Sequence, residues 1–300
     1  MAPPFPSATK KWHSTGYPSI SPERPELSAA GKTIVITGGG TGIGAETALY
    51  FAKAGAARIA LFGRREQPLL DTKARIESEA PSVEVFTAPT DVFKKDQVDA
   101  AFDSFLSAGN FKIDVLVSNA ASTGPLEGVQ NVDPDAFLHT VDDNIGAALY
   151  VAQAFLRYAA PNAVVIDVSS NAAHLNFGPY FAAYSIYKWA VIRLWDALGF
   201  SNPEMSVFHI QPGVVDTDMN RAAGGVKAMN YEDHVSLPAG FNLWLASPEA
   251  RFLRGKYLYV NWDVDELKSR ADKLEKSAEL GIALVGWPFG DANWKPNANF

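Results

Sequence analysis

The sequence predicts a single doubly wound α/β domain, a parallel sheet of about seven strands with helices on both faces. Three observations predict it. From Lys32 onward, short apolar runs alternate with longer segments of helical period. A glycine-rich turn follows the first of those runs at once, and no Gly/Ser-rich linker or fixed-period repeat divides the chain. The 300 residues, 47% of them hydrophobic, supply one substantial core. Residues 1–30 read as an irregular arm, 31–263 as the domain, and 264–300 as a helix and tail on the domain or a subunit interface.

In the arm, Pro3, Pro4, Pro6, Pro18, Pro22 and Pro25 break any helical period, and the apolar core of a secretory signal is missing. Phe5, Trp12 and Tyr17 leave both a free leader and packing on the body open. Strands are expected at Thr33–Thr37, Arg58–Phe62, Val83–Thr87, Val115–Ser118, Ala163–Val168, Ser206–Ile210 and Tyr257–Val260. Helices are expected near Ala45–Lys53, Leu69–Glu79, Asp96–Ser107, Ala136–Tyr158, Ala183–Gly199 and Ala239–Ala246. The stretch after Thr217, with Ala223, Gly224 and Gly225, reads as a long mobile connection, either one that covers a ligand or a flexible link alone.

Composition excludes several classes. A net charge of −7, with 26 basic and 33 acidic side chains in no long block, offers no footprint for nucleic acid. Zero cysteines exclude disulfides, thiolate metal sites and a cysteine nucleophile, and suit a reducing, cytoplasmic setting. The apolar runs stop well short of the roughly 20 residues of a membrane helix, so no span is expected. His13, His139, His174, His209 and His234 have no metal-ligand spacing, and no metal is expected.

The run TGGGTGIG, Thr37 to Gly44, lies between the first strand and an amphipathic helix. Glycines there let main-chain amides approach a pyrophosphate, whose charge the helix N-terminus favours. Gly38, Gly42 and Gly44 carry that expectation, with Thr41 and Ile43 between them. The spacing TGxxxGxG differs by one residue from the usual GxGxxG fingerprint and resembles that of the short-chain dehydrogenase/reductase family. The resemblance implies a Rossmann-type sheet and a nicotinamide cofactor.

Further segments resemble family motifs in the family's order. SNAA, Ser118 to Ala121, is similar to the NNAG turn beside the cofactor; Asn119 is retained and Ala121 stands where the motif has glycine. Asn144, amid apolar neighbours in DDNIGAAL, is similar to the asparagine that holds a water between the catalytic lysine and solvent; a local helix bend is the plainer reading. In AYSIYKWAVIRL, Tyr184 and Lys188 lie four apart on one helix face. Tyr187 takes the serine position of the family's YxxSK form.

Two serines precede the tyrosine, Ser170 by 184 − 170 = 14 positions and Ser169 by 15, where the family commonly has 13. Ser170 is taken as the catalytic one, with a longer loop through residues 171–179, and Ser169 as a local hydrogen-bonding group. A free tyrosine titrates near pH 10, and a neighbouring ammonium favours its phenolate. Lys188 would supply that charge and, by the resemblance, bind the nicotinamide ribose. Ser170 would orient the substrate oxygen for proton transfer with Tyr184.

Past the second strand, Gly63 stands where NAD-preferring relatives often carry a carboxylate, and Arg64 and Arg65 suit a 2′-phosphate. NADP(H) is therefore expected in preference to NAD(H). The resemblance also assigns Asp91 and Val92 to the adenine, and Pro212, Gly213, Val215 and Thr217 to the nicotinamide end. His174, Phe177, Tyr180 and Phe181 are the candidate substrate contacts, and equally candidates for loop packing.

These residues imply a medium-sized, partly apolar ketone or secondary alcohol. The C-terminal extension with Trp287 and Phe289 resembles fungal members, many of which serve secondary metabolism. The family is commonly a homodimer or homotetramer. Two alternatives stay open: a relative acting without net redox, as an epimerase, dehydratase or cyclisation scaffold, and a non-catalytic nucleotide-binding partner protein.

Overall fold

A computed structural model describes residues 5–107, 109, 111–176 and 180–284. Seven strands form one sheet: β1 (Thr33–Thr37), β2 (Arg58–Gly63), β3 (Glu84–Pro89), β4 (Ile113–Ser118), β5 (Ala159–Val168), β6 (Ser206–Gln211) and β7 (Tyr257–Tyr259). Their order is β3-β2-β1-β4-β5-β6-β7, every pairing parallel. β1 is buried along its whole length because helices cover both faces, which is why TIVIT is an unbroken β-branched run.

The longer helices are α1 (Gly42–Lys53), α2 (Glu66–Glu79), α3 (Lys95–Ser107), α4 (Pro134–Tyr158) and α5 (Ala182–Ser201). The short α6 (Asp218–Ala222) and α7 (Gly225–Met229) precede α8 (Ser236–Leu245), and α9 (Val264–Lys268) and α10 (Ala271–Glu275) follow β7. Alternation along β1 splits the core. Ile34 and Ile36 pack with Leu49 and Phe51 of α1 and Trp244 of α8, while Val35 joins Phe102 of α3, Phe155 of α4 and Trp195 of α5. This is the expected Rossmann-type doubly wound sheet.

Three departures from expectation matter for the site. α1 starts at Gly42 inside the glycine run, so the run itself supplies the helix N-terminus. The stretch after Thr217 is not an open connection: α6 and α7 occupy it, joined where Gly224 and Gly225 take φ of 107° and 75°. The charged segment after Asp263 breaks into α9 and α10, with Asp263 capping α9 through its side chain. Trp287 and Phe289 lie outside the described residues.

Residues 5–30 are packed on the body. Ile20 and Leu27 sit in the core, each in a 3₁₀ turn begun by proline (Pro18–Ile20 and Pro25–Leu27). Trp12 bridges to Trp262 beyond β7, and Arg24 pairs with Glu249 at 2.8 Å. Among the described residues, no helix is long and apolar enough to cross a membrane.

Candidate active site

The strand order reverses between β1 and β4, and the crevice expected at such a point lies beyond the strands' carboxyl ends. A cleft of about 690 Å³ occupies it. On its floor the glycine turn is sterically obligatory. Gly38 and Gly42 take φ of 69° and 53°; a Cβ on Gly38 would come 2.6 Å from Asn119 Nδ2, and one on Gly44 would overlap the Gly38 carbonyl. Thr41 precedes α1 without capping it through its side chain, which leaves first-turn amides for a ligand.

Asn119 fastens this turn. Its Nδ2 donates to the carbonyl oxygens of Thr37 and Gly38 at 3.0 and 3.3 Å, and its N–H donates to Thr37 Oγ1 at 3.0 Å. Ala121 raises no conflict with the motif's glycine. Among the described non-glycine residues only Asn230 and Leu280 have positive φ, so the backbone at Ala121 is open to alanine.

α5 brings Tyr184 and Lys188 to the opposite wall. Lys188 Nζ lies 5.8 Å from the Tyr184 ring centroid and donates to the Val168 carbonyl at 2.7 Å. Ser170 lines the same cleft and caps the 3₁₀ turn Asn171–Ala173, its Oγ accepting from Ala172 N at 3.2 Å. Ser169 also borders the cleft, but its Oγ is sealed from solvent.

Behind Lys188 is a second, water-sized void of about 20 Å³, lined in part by Asn144, Asp167, Tyr187 and Lys188. Asn144 faces this void and not the large cleft. Its Nδ2 donates to the Thr140 carbonyl at 2.8 Å, and its Oδ1 accepts from Ser122 N at 3.0 Å. Tyr187 meets Tyr184 edge-on at 5.3 Å and donates to the Ser122 carbonyl. Burial, with Tyr184 and Asp167 nearby, pushes its phenol well above the usual range and keeps it a donor.

Asp167 carries a buried array that spacing alone did not reveal. His209, its cross-strand neighbour, places Nδ1 3.0 Å from Asp167 Oδ2 and Nε2 3.1 Å from Asp196 Oδ1 on α5. Burial opposes the charged imidazole, but the two carboxylates outweigh it and raise His209 to about 9.

The other predicted residues divide clearly. Gly38, Thr41, Gly42, Ile43, Arg64, Arg65, Asp91, Val92, Asn119, Pro212, Gly213, Val215 and Thr217 all border the cleft. Gly44 does not, and acts through close packing beneath the turn. The two arginines differ: Arg65 is paired with Asp218 at 2.9 Å, whereas Arg64 makes no ion pair among the described residues. Asp91 shapes its own turn, its Oδ1 accepting from Phe93 N at 3.2 Å. Thr217 caps α6 by accepting from Asn220 N, and its Cγ2 stands 2.9 Å from where a Gly42 Cβ would be.

Of the candidate substrate contacts, Phe181 borders the cleft. Tyr180 is exposed and outside the lining, and His174 turns to Tyr259, whose hydroxyl is 3.0 Å from Nε2. Phe177 lies outside the described residues. Ser122, Thr123, Gln211 and Met219 line the cleft without having been anticipated. Gln211 ends β6, and its Oε1 accepts from Asn171 N at 2.7 Å; a glutamine before the proline and glycine was its one available signal.

The short chain dehydrogenase family matches residues 32–225, the stretch from β1 to α7. The chain belongs to the short-chain dehydrogenase/reductase family. Two fungal relatives extend the likeness to more than nine tenths of the chain. A short chain dehydrogenase/reductase of Claviceps purpurea is 32% identical over 94% of this chain and 95% of its own. One from Aspergillus aculeatus is 34% identical over 92% and 96%. The solved short-chain type dehydrogenase/reductase of Mycobacterium ulcerans superposes with a TM-score of 0.71 at 26% identity, covering 78% of this chain and 89% of its own. This short-chain dehydrogenase/reductase is accordingly an NAD(P)-dependent oxidoreductase.

Proposed function

We propose that this short-chain dehydrogenase/reductase interconverts a medium-sized, partly apolar ketone and its secondary alcohol, with Tyr184 as the acid/base and NADP(H) as the preferred cofactor. The observation that carries the reading is the shared cleft: Tyr184 and Lys188, one helical turn apart, face the same space as the glycine turn at the α1 N-terminus. The uncapped first turn, and glycines that leave no room for a Cβ, fit a dinucleotide's pyrophosphate. A space of about 690 Å³ suits a small-molecule site.

The glycine turn at the start of α1, with Asn119 and Lys188, would hold a nicotinamide cofactor, which would supply or take up the hydride at the substrate carbon. In reduction, the Tyr184 hydroxyl gives its proton to the substrate oxygen, with the Lys188 ammonium one helical turn on and its Nζ 5.8 Å from the Tyr184 ring centroid. Ser170 turns its hydroxyl hydrogen, which here is given to Asn171 Oδ1 at a long 3.5 Å, to the same oxygen, while its lone pair keeps receiving Ala172 N. Asn144 and Lys188 face one void of water size, which supports a held water as the next proton source for the lysine. Oxidation reverses each transfer.

Arg64 supports NADP(H), because β2 ends at Gly63 without a carboxylate and this guanidinium, which borders the cleft, makes no ion pair among the described residues. Partial apolarity is supported by Phe181, Met219 and Ala172 beside Ser122 and Thr123 in the cleft.

A panel of ketones and secondary alcohols, assayed by cofactor absorbance with wild type and Tyr184→Phe, tests the reading. The variant should bind cofactor within about twofold of wild type and lose at least roughly a hundredfold in turnover. Near-normal turnover would sink the role of Tyr184. Product formed without net cofactor change would favour an epimerase or dehydratase. Arg64→Ala should lower the NADPH-over-NADH preference by about ten- to a hundredfold.

A further inference from the structure

The turn Pro212–Val215 borders the cleft after β6, yet its backbone is held from elsewhere. Val214 N donates to Asp233 Oδ2 at 2.8 Å, and Asp233 N donates back to the Val214 carbonyl at 2.8 Å. Gly213 takes φ +85°, and a Cβ there would come 2.7 Å from that same carboxylate oxygen. Carboxylate and turn are therefore built against each other without spare room.

Asp233 is 1% exposed, and a carboxylate so buried is tolerated only when donors surround both oxygens. Oδ1 has two. Tyr231 donates its hydroxyl at 2.7 Å and Asn261 its Nδ2 at 2.8 Å. The N-terminal arm holds both of these donors. Trp12 Nε1 donates to the Tyr231 oxygen at 2.7 Å, while the His13 carbonyl accepts from Asn261 Nδ2 at 2.9 Å and His13 N donates to the Asn261 carbonyl at 2.8 Å. The arm is itself fixed at this point, with His13 Nε2 2.9 Å from Asp263 and its ring stacked on Tyr17.

We propose that the N-terminal arm is a positioning element of the active site, acting from Trp12 and His13 through Tyr231, Asn261 and Asp233 on the Pro212–Val215 turn. The inference rests on the reading above that this turn meets the nicotinamide end of the cofactor. Its physical content is directional. Two hydrogen-bonded routes converge on one carboxylate, whose other oxygen holds the turn's amide. Loosening either route is felt at that turn and not at the glycine turn of α1, which is fastened separately by Asn119.

In the full chain, Trp12→Phe removes the first hydrogen bond of the first route and leaves a smaller aromatic ring, while Tyr231→Phe removes both bonds of that route and keeps its phenyl ring. Each protein is titrated with NADPH or NADH, whichever wild type binds more tightly. The matching adenosine half, adenosine 2′,5′-bisphosphate or ADP, is titrated in parallel. We expect the dinucleotide to weaken roughly three- to tenfold in each variant, with the adenosine half within about twofold. Unchanged dinucleotide affinity in both variants would overturn the proposal. Equal weakening of both ligands would also overturn it, since a general structural role loosens the whole cleft. Were wild type to bind the adenosine half as tightly as the dinucleotide, the nicotinamide assignment of the turn would itself fail and take this inference with it.

Discussion

At the scale of single residues, the site was most legible where one element carries the pattern. Tyr184 and Lys188 are four apart on α5, so helix geometry alone puts them side by side. The glycines of the β1 to α1 turn were legible for the same reason, being consecutive in the chain. Arg65 was not: its partner Asp218 lies 153 positions away, so a free arginine pair in the sequence is one engaged and one unengaged side chain in space. Ala121 makes a clean test of motif against backbone. Because its φ is not positive, glycine there adds only chain freedom, and Ala121→Gly should destabilise by about 0.5–1 kcal/mol without raising turnover. Urea unfolding together with a cofactor-turnover assay checks both parts; a gain in activity would show that the alanine does distort the turn.

At the scale of elements, the Asp167–His209–Asp196 array ties β5, β6 and α5, the helix that bears Tyr184 and Lys188. Burial works against the His209 charge, but the paired carboxylates hold its folded value at about 9, above the ordinary 6.5. The linked stability is thus fully present below pH 6.5 and is lost as pH rises through 9, in total about 3 kcal/mol. His209→Gln should be less stable at neutral pH and should lack this component of the alkaline decline. Unfolding free energies of both proteins at pH 6, 8 and 10 would show it; parallel curves would refute it. Strand periodicity could not announce the array, because Asp167 and His209 become partners only through the β5 to β6 register.

For the whole molecule, strand number and helix placement follow from alternating apolar runs, whereas the strand order and the connections follow from contacts that periodicity does not encode. α6 and α7 replaced an expected open stretch, and residues 5–30 are held by bonds reaching across more than 200 positions, such as Trp12 to Tyr231. The outer surface carries another signal. Leu149 and Leu156 on α4, with Ile186 and Trp189 on the adjoining α5, are each at least 40% exposed. Large apolar side chains so placed on neighbouring helices make this the face to test for self-association. Leu149→Glu combined with Trp189→Glu should convert an oligomer to monomer in light scattering after size exclusion, with the fold intact by circular dichroism. An unchanged mass would exclude this face as the contact.

The Arg65–Asp218 bridge at the rim of the cleft has a temporal consequence. It joins the loop after β2 to the start of α6, and both side chains are more than half exposed. If a ligand leaves past this rim, the pair must part, and its residence time then depends partly on counterions in the medium. A screened surface pair of this kind is worth about 0–1 kcal/mol, so added salt would hasten departure by no more than roughly fivefold. Exchange of the bound ligand thereby acquires a mild ionic-strength dependence that the buried chemistry around Tyr184 does not share.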